Sequence, residues 1–257
     1  MIFFKKEPKL EFFSLMPDVA KIAPIQPASN FRTELMHEAA KDLSQKKKEP
    51  GYGFAKLFNT AKCPGIYHYA NYGWVMTTYQ DIVIRTNGDG ESIEWEAAMD
   101  HSSMDGGKLV GSQIGFHPPF QYANYMGNMA NTVKNVIKIA TPWRCVVPKG
   151  YYLQEGHLPY SNERRFTTAT GFFSQEYGVA QMNVQLFWHV MNGETVIKAG
   201  TPIAHYILIP KKQHKLEVRA ANNKDLESER ITQAEISRKF VSNRTESKCL
   251  FAKFFGN

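Results

Sequence analysis

Hydrophobic and polar residues alternate in short segments along the middle of the chain. In the clearest segment, residues 181–190, alternate positions are apolar: Met182, Val184, Leu186, Trp188 and Val190. A two-residue period is typical of a β-strand with one face in a core. Similar segments, separated by glycine and proline, run from about residue 65 to residue 210. The pattern therefore predicts a mainly antiparallel β core over this range.

Turn signals predict how several of these strands connect. Residues 82–86 and 92–96 flank Asn87-Gly88-Asp89-Gly90, which predicts a hairpin because glycine accepts the positive φ of tight turns. Asn192-Gly193 predicts a second hairpin, so that the strands near 181–190, 195–197 and 203–209 form a three-stranded meander. Pro142 and Pro148 bracket a further strand and indicate that its ends are bends or edges.

The two ends of the chain have different patterns. Prolines break residues 1–30 into an extended leader with one short strand, and three-to-four spacing predicts a helix over about 31–47. A second helix is predicted over 225–245, with Asn222 or Asn223 as its N-cap. We interpret the chain as a single domain: a leader plus helix over 1–64, a β core over 65–210 and a helical tail over 211–257. The expected fold is a clip-like or sandwich-like antiparallel barrel with peripheral helices.

The last residues of the chain are strongly apolar. We expect four of them to be buried against the domain or a second subunit, where they would anchor the tail: Leu250, Phe251, Phe254 and Phe255.

Composition, charge and cysteine content narrow the functional classes. With 43% hydrophobic residues, the chain can build a full core. Its three cysteines are far apart in sequence, which favours free thiols in a reducing compartment over disulfides or a zinc site. The net charge of +7 is spread along the chain, and its dense spots at 46–48 and 211–212 lack interleaved aromatics, so we expect solvated loops rather than a nucleic-acid surface. We find no apolar run of membrane-spanning length and no export signal, and expect a cytoplasmic protein without membrane contact.

Motifs for catalysis are missing from the sequence. It contains no phosphate-binding loop, no nucleophile elbow and no H-E-x-x-H pair, and no histidine is followed two residues later by an acid. We therefore expect neither a metal nor a cofactor. The candidate ligand contacts are an arginine beside a tryptophan, Trp143-Arg144, and two histidines that the meander would bring together, His189 and His205. The alternative is that Arg144 extends to solvent and the histidines are hydrogen-bonded structural residues.

A longer pattern resembles a known domain family. In order, it consists of a TPWR strand at 141–144, a PKGY turn at 148–151, Gly171-Phe-Phe, then NVQLFWHV and IKAGTPIAHYILIPK. This pattern resembles a domain family of unknown function from bacteria and marine T4-like cyanophages, over roughly residues 70–215. The resemblance implies a phage-type protein in the cytoplasm of an infected bacterium or in the virion, and it implies no activity.

A shorter pattern resembles a second family. Gly171-Phe-Phe-Ser-Gln-Glu-Tyr177-Gly178, followed by Ile197-Lys-Ala-Gly200 and Ile203-Ala-His205, is similar to the dUTPase and dCTP-deaminase group, whose fold is a β-clip. The group has an aspartate where this chain has Ser174 and a glutamine where it has His205. The resemblance therefore implies a strand order and not the activity.

Three functional hypotheses follow. The first is a non-enzymatic binding or assembly protein, with a homo-oligomer or another phage or host protein as partner. The second is an enzyme that handles nucleotides or small ligands on a β-clip fold, with a pocket near Tyr177, His189 and His205. The third, least favoured, is a metal-dependent oxygenase.

Overall fold

The computed structural model describes residues 9–34, 36–38, 63–99, 103–105, 108–110, 113–126, 129–174, 176 and 178–241. The chain divides into two compact units, one of Met1–Thr33 with Tyr67–Gln213 and the other of Glu34–Ile66 with His214–Asn257. The single domain stays a prediction. The first unit contains the β-strands and the candidate site.

The described residues contain fifteen strands and four α-helices whose two ends are both defined. The strands are β1 Glu11–Ser14, β2 Gln26–Pro27, β3 Trp74–Thr77, β4 Ile82–Asn87, β5 Ile93–Ala97, β6 Ser103–Asp105, β7 Lys108–Val110, β8 Ile114–His117, β9 Val136–Val146, β10 Tyr151–Gly156, β11 Phe166–Thr168, β12 Gly171–Ser174, β13 Ala180–Trp188, β14 Asn192–Ile197 and β15 Pro202–Pro210. The α-helices are α1 Pro17–Ile22, α2 Pro64–Asn71, α3 Pro119–Met126 and α4 Asn223–Val241.

The strands form three antiparallel sheets and a separate pair. Sheet A has the order β1-β9-β13-β11, with β8 also paired to β9; sheet B has the order β12-β10-β15-β3-β2; sheet C has the order β14-β4-β5; and β6 pairs with β7. The prediction of a mainly antiparallel β fold is confirmed.

The core is continuous across the three sheets. The apolar face predicted for 181–190 is buried in β13, and residues from each sheet join it, such as Ile139 of sheet A, Leu153 of sheet B and Ile84 of sheet C. Each large apolar side chain buried in this way contributes about 1.5–3 kcal/mol. This shared core makes the arrangement sandwich-like, and the described strands do not close into the barrel that the sequence pattern suggested.

The first hairpin is confirmed. β4 and β5 pair in register from Ile82↔Ala97 to Thr86↔Ile93. Gly88 and Gly90 in the turn have φ values of 88° and 80°. The Asp89 carboxylate accepts a hydrogen bond from the Ser92 hydroxyl, which is the largest cause of its lowered pKa, and two from the backbone N–H groups of Ser92 and Glu91, both at 2.7 Å, which lower that pKa further.

The predicted meander is wrong. β13, β14 and β15 follow each other in sequence but pair with distant strands: β13 with β9, β14 with β4, and β15 with β10 and β3. Asn192-Gly193 begins β14 instead of forming a hairpin turn, opposite Asn87 and Thr86. The reason is that the long-range partners complete three different walls around the core, in which β13 and β15 bury several apolar residues and β14 buries Ile197.

Pro142 lies inside a long strand. β9 is continuous over eleven residues, and the register against β13 shifts between Gln181 and Asn183, opposite this proline. A β-bulge is one of the few places where a sheet accepts a residue without an N–H donor. The proline thus marks an irregularity within one strand and not a strand end.

The two predicted terminal helices are present where they can be compared, but the leader is not simply extended with one strand, because it also contains α1 and β2. Residues 34 and 36–38 are helical, and Ala28–Phe31 forms a 3-10 turn before them. α4 begins at Asn223, and the Asn222 side chain caps it by accepting hydrogen bonds from Lys224 and Asp225 N–H at 2.9 and 3.1 Å. The four apolar tail residues at 250–255 lie outside the described residues.

Two further sequence expectations can be compared with the structure. Cys63 and Cys145 are free, the first exposed and the second buried. Among the described helices, none combines the length and the hydropathy needed to cross a membrane.

Candidate functional site

A pocket of about 170 Å³ opens on the outer face of sheet B. In β10 and β15 the alternation directs Leu153 and Tyr206 into the core, so that Gln154 and His205 lie on the opposite face. Seven described residues line the pocket: Tyr69, Gln154, Gly156, His157, Thr170, His205 and Ile207. Two paired central strands thus form its floor, and α2 contributes Tyr69.

His205 is buried and has a defined tautomer. Its Nε2 lies 2.6 Å from the carbonyl oxygen of Tyr72. A carbonyl oxygen only accepts, so Nε2 carries the proton and Nδ1 keeps a lone pair. Burial lowers the pKa of His205, and the hydrogen bond to Tyr72 opposes this only in part. The residue is therefore neutral near pH 7 and has a free acceptor nitrogen.

His157 uses both of its ring nitrogens within the protein. The backbone N–H of Thr168 donates to Nδ1 at 3.4 Å, so the other nitrogen, Nε2, carries the proton and donates to the Ser161 hydroxyl at 3.1 Å. Burial is the main reason that the pKa of His157 is lowered; the nearby charge of Glu163 opposes this shift, and His189 adds to it. His157 is thus a neutral, fixed wall of the pocket.

Four polar groups on the pocket lining have no hydrogen-bond partner among the described residues. They are the Tyr69 hydroxyl, the Gln154 amide, the Thr170 hydroxyl and Nδ1 of His205. None of the described lining residues is Asp, Glu, Lys or Arg. The pocket therefore offers hydrogen-bond donors and acceptors without a formal charge.

His189 lies elsewhere in the first unit. It follows β13 in sheet A, whereas His205 belongs to β15 in sheet B. Its Nδ1 lies 3.1 Å from the Thr132 hydroxyl and its Nε2 lies 2.8 Å from the Thr167 hydroxyl. Burial lowers the pKa of His189. Both ring nitrogens thus lie within hydrogen-bonding distance of threonine hydroxyls, as the alternative of a hydrogen-bonded histidine expects, and a ligand contact stays a prediction.

Trp143 and Arg144 occupy opposite faces of sheet A. Trp143 is buried in the core, and the next residue of the strand points the other way. The Arg144 guanidinium donates to the carbonyl oxygens of Trp143 at 3.0 Å and Thr141 at 3.2 Å, and it forms no ion pair with any residue that the structure describes. Partial burial lowers its pKa. The remaining sequence candidate, Tyr177, lies outside the described residues.

A larger depression of about 440 Å³ lies in the second unit, and two of its charged lining side chains, Arg219 and Asp225, are already paired with each other. Arg219 donates to the Asp225 carboxylate at 3.0 Å, and that carboxylate also accepts from the Asn222 N–H at 2.8 Å. Among the described residues, no group of three or more His, Cys, Asp and Glu side chains is placed to hold a metal ion. The pocket on sheet B is therefore the candidate site.

Sequence reasoning found only His205 among the residues that line this pocket. It missed Tyr69 because α2 was not predicted, and Gln154 because the pairing of β10 with β15 joins residues about fifty positions apart. The run of polar residues at 154–157, directly after buried Leu153, was the available signal. A scan of protein-family models finds no match to the chain, and a search of curated proteins finds none. The chemistry of the pocket itself therefore has to indicate its function.

Proposed function

We propose that this chain is a non-enzymatic binding protein that holds one uncharged, polar, ring-sized group in the pocket on sheet B. The observation that carries the proposal is that four residues with unpartnered polar groups line one small pocket. Such groups are hydrated in the free protein, and a ligand that replaces this water with matched hydrogen bonds gains orientation and specificity.

The lining favours binding over catalysis. General acid–base chemistry needs a titrating group near a reacting atom, usually held by a second group. In the described lining, His157 has both nitrogens occupied, and no carboxylate or thiol is present to pair with His205. The groups that remain free are suited to hold a ligand.

Charge and volume restrict the ligand. Without a lysine or arginine in the described lining, and with neutral histidines, the pocket has no counter-ion for a phosphate or carboxylate. Its volume of about 170 Å³ is close to that of an engineered cavity of ~150 Å³ that accommodates benzene. One six-membered ring with polar substituents therefore fits.

Several expectations stay predictions beside this proposal. They are a phage-type origin, a homo-oligomeric, phage or host partner, and a location in the infected cell or the virion. The nucleotide-handling hypothesis, with a pocket near Tyr177, His189 and His205, also stays a prediction; His205 lines the pocket on sheet B, whereas His189 bonds to two threonines outside the lining.

Gln154→Met is the substitution that tests the proposal. It removes the amide, keeps the side-chain length and breaks no hydrogen bond with a described residue, so we expect an unchanged melting temperature. In a thermal-shift screen of sugars, polyols, amides and nucleotides, an uncharged compound should stabilise the wild-type chain, by about 2.7 kcal/mol at 100 times its Kd. Loss of one hydrogen bond should weaken its binding roughly tenfold.

Gln213→Met is the matched control, because Gln213 is exposed and does not line the pocket. It should leave the affinity unchanged. The proposal fails if no uncharged compound binds, or if the compounds that bind are unaffected by Gln154→Met.

A further inference from the structure

An aromatic stack lies on the same face of sheet B as the pocket. The Lys211 Nζ lies 4.7 Å from the centroid of the Tyr152 ring, and the Tyr152 and Phe172 rings stack at 5.2 Å with an interplanar angle of 24°. The Phe172 side chain forms the outer layer, and the residue is 59% exposed. The stack therefore presents an aromatic surface to solvent.

The inner layers hold this surface in place. Lys211 is mostly covered and is fixed by an ion pair with Glu176 at 2.6 Å. Lys211 and Phe172 both contact the Tyr152 ring, so a cation–π contact and an aromatic stack restrain the two rings together. A ligand that stacks on Phe172 would meet a ring that is already oriented, which lowers the entropy cost of binding.

The aromatic surface adjoins the pocket. Phe172 of β12 is the cross-strand partner of Gln154 in β10, and Gln154 lines the pocket. Directly opposite residues of an antiparallel pair point to the same face, with Cβ atoms about 5 Å apart. A ligand with two linked rings can therefore place one ring in the pocket and the other over Phe172.

We propose that the ligand is a neutral oligosaccharide, with one sugar ring in the pocket and the adjacent ring stacked on Phe172. This inference rests on the proposed function and names its ligand class. Sugar hydroxyls both donate and accept, which matches an amide, two hydroxyls and the lone pair on His205 Nδ1. The C–H face of a sugar ring is apolar, so it can pack against the face of an aromatic ring while the sugar hydroxyls form hydrogen bonds.

The charges near the stack favour a neutral saccharide over a nucleotide. A nucleobase could also stack on Phe172, but its phosphates require cations. Lys211 is the cation of the stack, and its charge is already paired with Glu176. Anionic and nucleotide ligands are therefore the comparison arm of the experiment.

The experiment is a calorimetric and NMR titration of the full chain with neutral mono-, di- and trisaccharides built from glucose, galactose, mannose and N-acetylglucosamine. Nucleoside monophosphates form the comparison arm. At least one disaccharide should bind tenfold or more tightly than its monosaccharide. Phe172→Ala should remove that gain, Phe172→Tyr should keep it, and Gln154→Met should weaken both sugars.

Phe120→Ala is the matched control, since Phe120 is 78% exposed on α3 and belongs neither to the stack nor to the pocket lining. It should leave every affinity unchanged. If monosaccharides bind and respond to Gln154→Met but no disaccharide gains from Phe172, the inference is overturned while the pocket function stands.

Four other outcomes would also overturn the inference. If an uncharged compound that is not a saccharide binds in the pocket and no saccharide of the panel does, the saccharide class is wrong. Tighter binding of nucleotides than of sugars contradicts the charge argument. A change of oligomeric state in Phe172→Ala, without sugar binding, would make the aromatic surface a subunit contact. If no uncharged compound binds at all, the proposed function falls together with this inference.

Discussion

Glu155 shows at the residue scale how burial alone sets a protonation state. It is buried on the inner face of β10, where the Tyr206 hydroxyl donates to its Oε2 at 2.6 Å. Burial raises the pKa of Glu155 to about 8, and the hydrogen bond from Tyr206 only partly opposes this shift. Burial is also the main reason that the pKa of the Cys145 thiol is raised to about 12. Glu155 is thus mostly protonated at neutral pH.

Glu155→Gln tests this assignment through the stability of the fold. Between pH 4.5 and 8 the unfolded chain releases the Glu155 proton while the folded chain keeps it, so the free energy of unfolding falls as pH rises. One proton corresponds to about 1.4 kcal/mol per pH unit, so the wild-type chain should lose roughly 1–2 kcal/mol from pH 6.5 to 8. In urea unfolding, the free energy of unfolding of Glu155→Gln should change clearly less with pH between 6.5 and 8 than that of the wild-type chain.

Glu94→Gln serves as the control for this measurement, because Glu94 is an exposed residue of β5. Its free energy of unfolding should change with pH as that of the wild-type chain does. Equal slopes in the wild-type chain and Glu155→Gln would mean that Glu155 ionises normally in the folded state.

At the element scale, the start of β3 depends on a glycine that no other residue can replace easily. Gly73 has a φ of 87°, and an added Cβ would overlap the carbonyl oxygen of Tyr206 and lie 3.1 Å from His205 Nε2. This close approach lets the chain leave α2, bring the Tyr72 carbonyl to His205 and enter β3 directly. The geometry of the pocket wall is therefore coupled to one backbone position.

Gly73→Ala and Gly88→Ala form a matched pair that separates backbone strain from steric overlap. Gly88 has nearly the same φ of 88°, but its added Cβ would lie 3.8 Å from the nearest atoms. We expect Gly88→Ala to cost about 1 kcal/mol of unfolding free energy, from φ strain alone. Gly73→Ala should cost roughly 2–4 kcal/mol because overlap adds to the strain, and it should shift the imidazole NMR signals of His205. Equal costs for the two variants would contradict the close approach.

For the whole molecule, buried titratable groups predict where the fold is most stable. Burial lowers the pKa values of His157, His189 and His205 below 6.5, so the unfolded chain binds protons first as the pH falls through 6.5. The three neutral histidines therefore add to the free energy of unfolding in full above pH 6.5, and this stabilisation is lost as the pH falls below 6.5. Glu155 acts in the opposite direction, with stability lost as the pH rises toward 8.

We therefore expect a stability maximum near pH 6.5. Below it, the three histidines of the unfolded chain take up protons before those of the folded chain, so the free energy of unfolding should stop rising or fall by pH 5.5. Chemical denaturation at pH 5.5, 6.5, 7.5 and 8.5 measures the curve. A continuous rise in stability from pH 6.5 down to 5.5 would contradict neutral, buried histidines.

Local patterns in the sequence determined the element types and the faces that enter the core. The alternation in 181–190 predicted the buried face of β13, and Asn87-Gly88-Asp89-Gly90 predicted the β4–β5 hairpin. These features depend on neighbouring residues, since side chains alternate along a strand and glycine accepts positive φ. A mainly antiparallel β fold with a capped C-terminal helix follows from such patterns.

Strand pairing and the site were decided only in the tertiary structure. Nothing local distinguishes β13, β14 and β15 as members of three sheets, because each choice depends on the distant strand that best covers an apolar face. His205 and Gln154 meet in one pocket through the pairing of β15 with β10, whereas His189, nearer to His205 in sequence, bonds to two threonines. Short sequence patterns identify the polar residues of this chain, but which of them line one pocket depends on contacts between residues that are far apart in sequence.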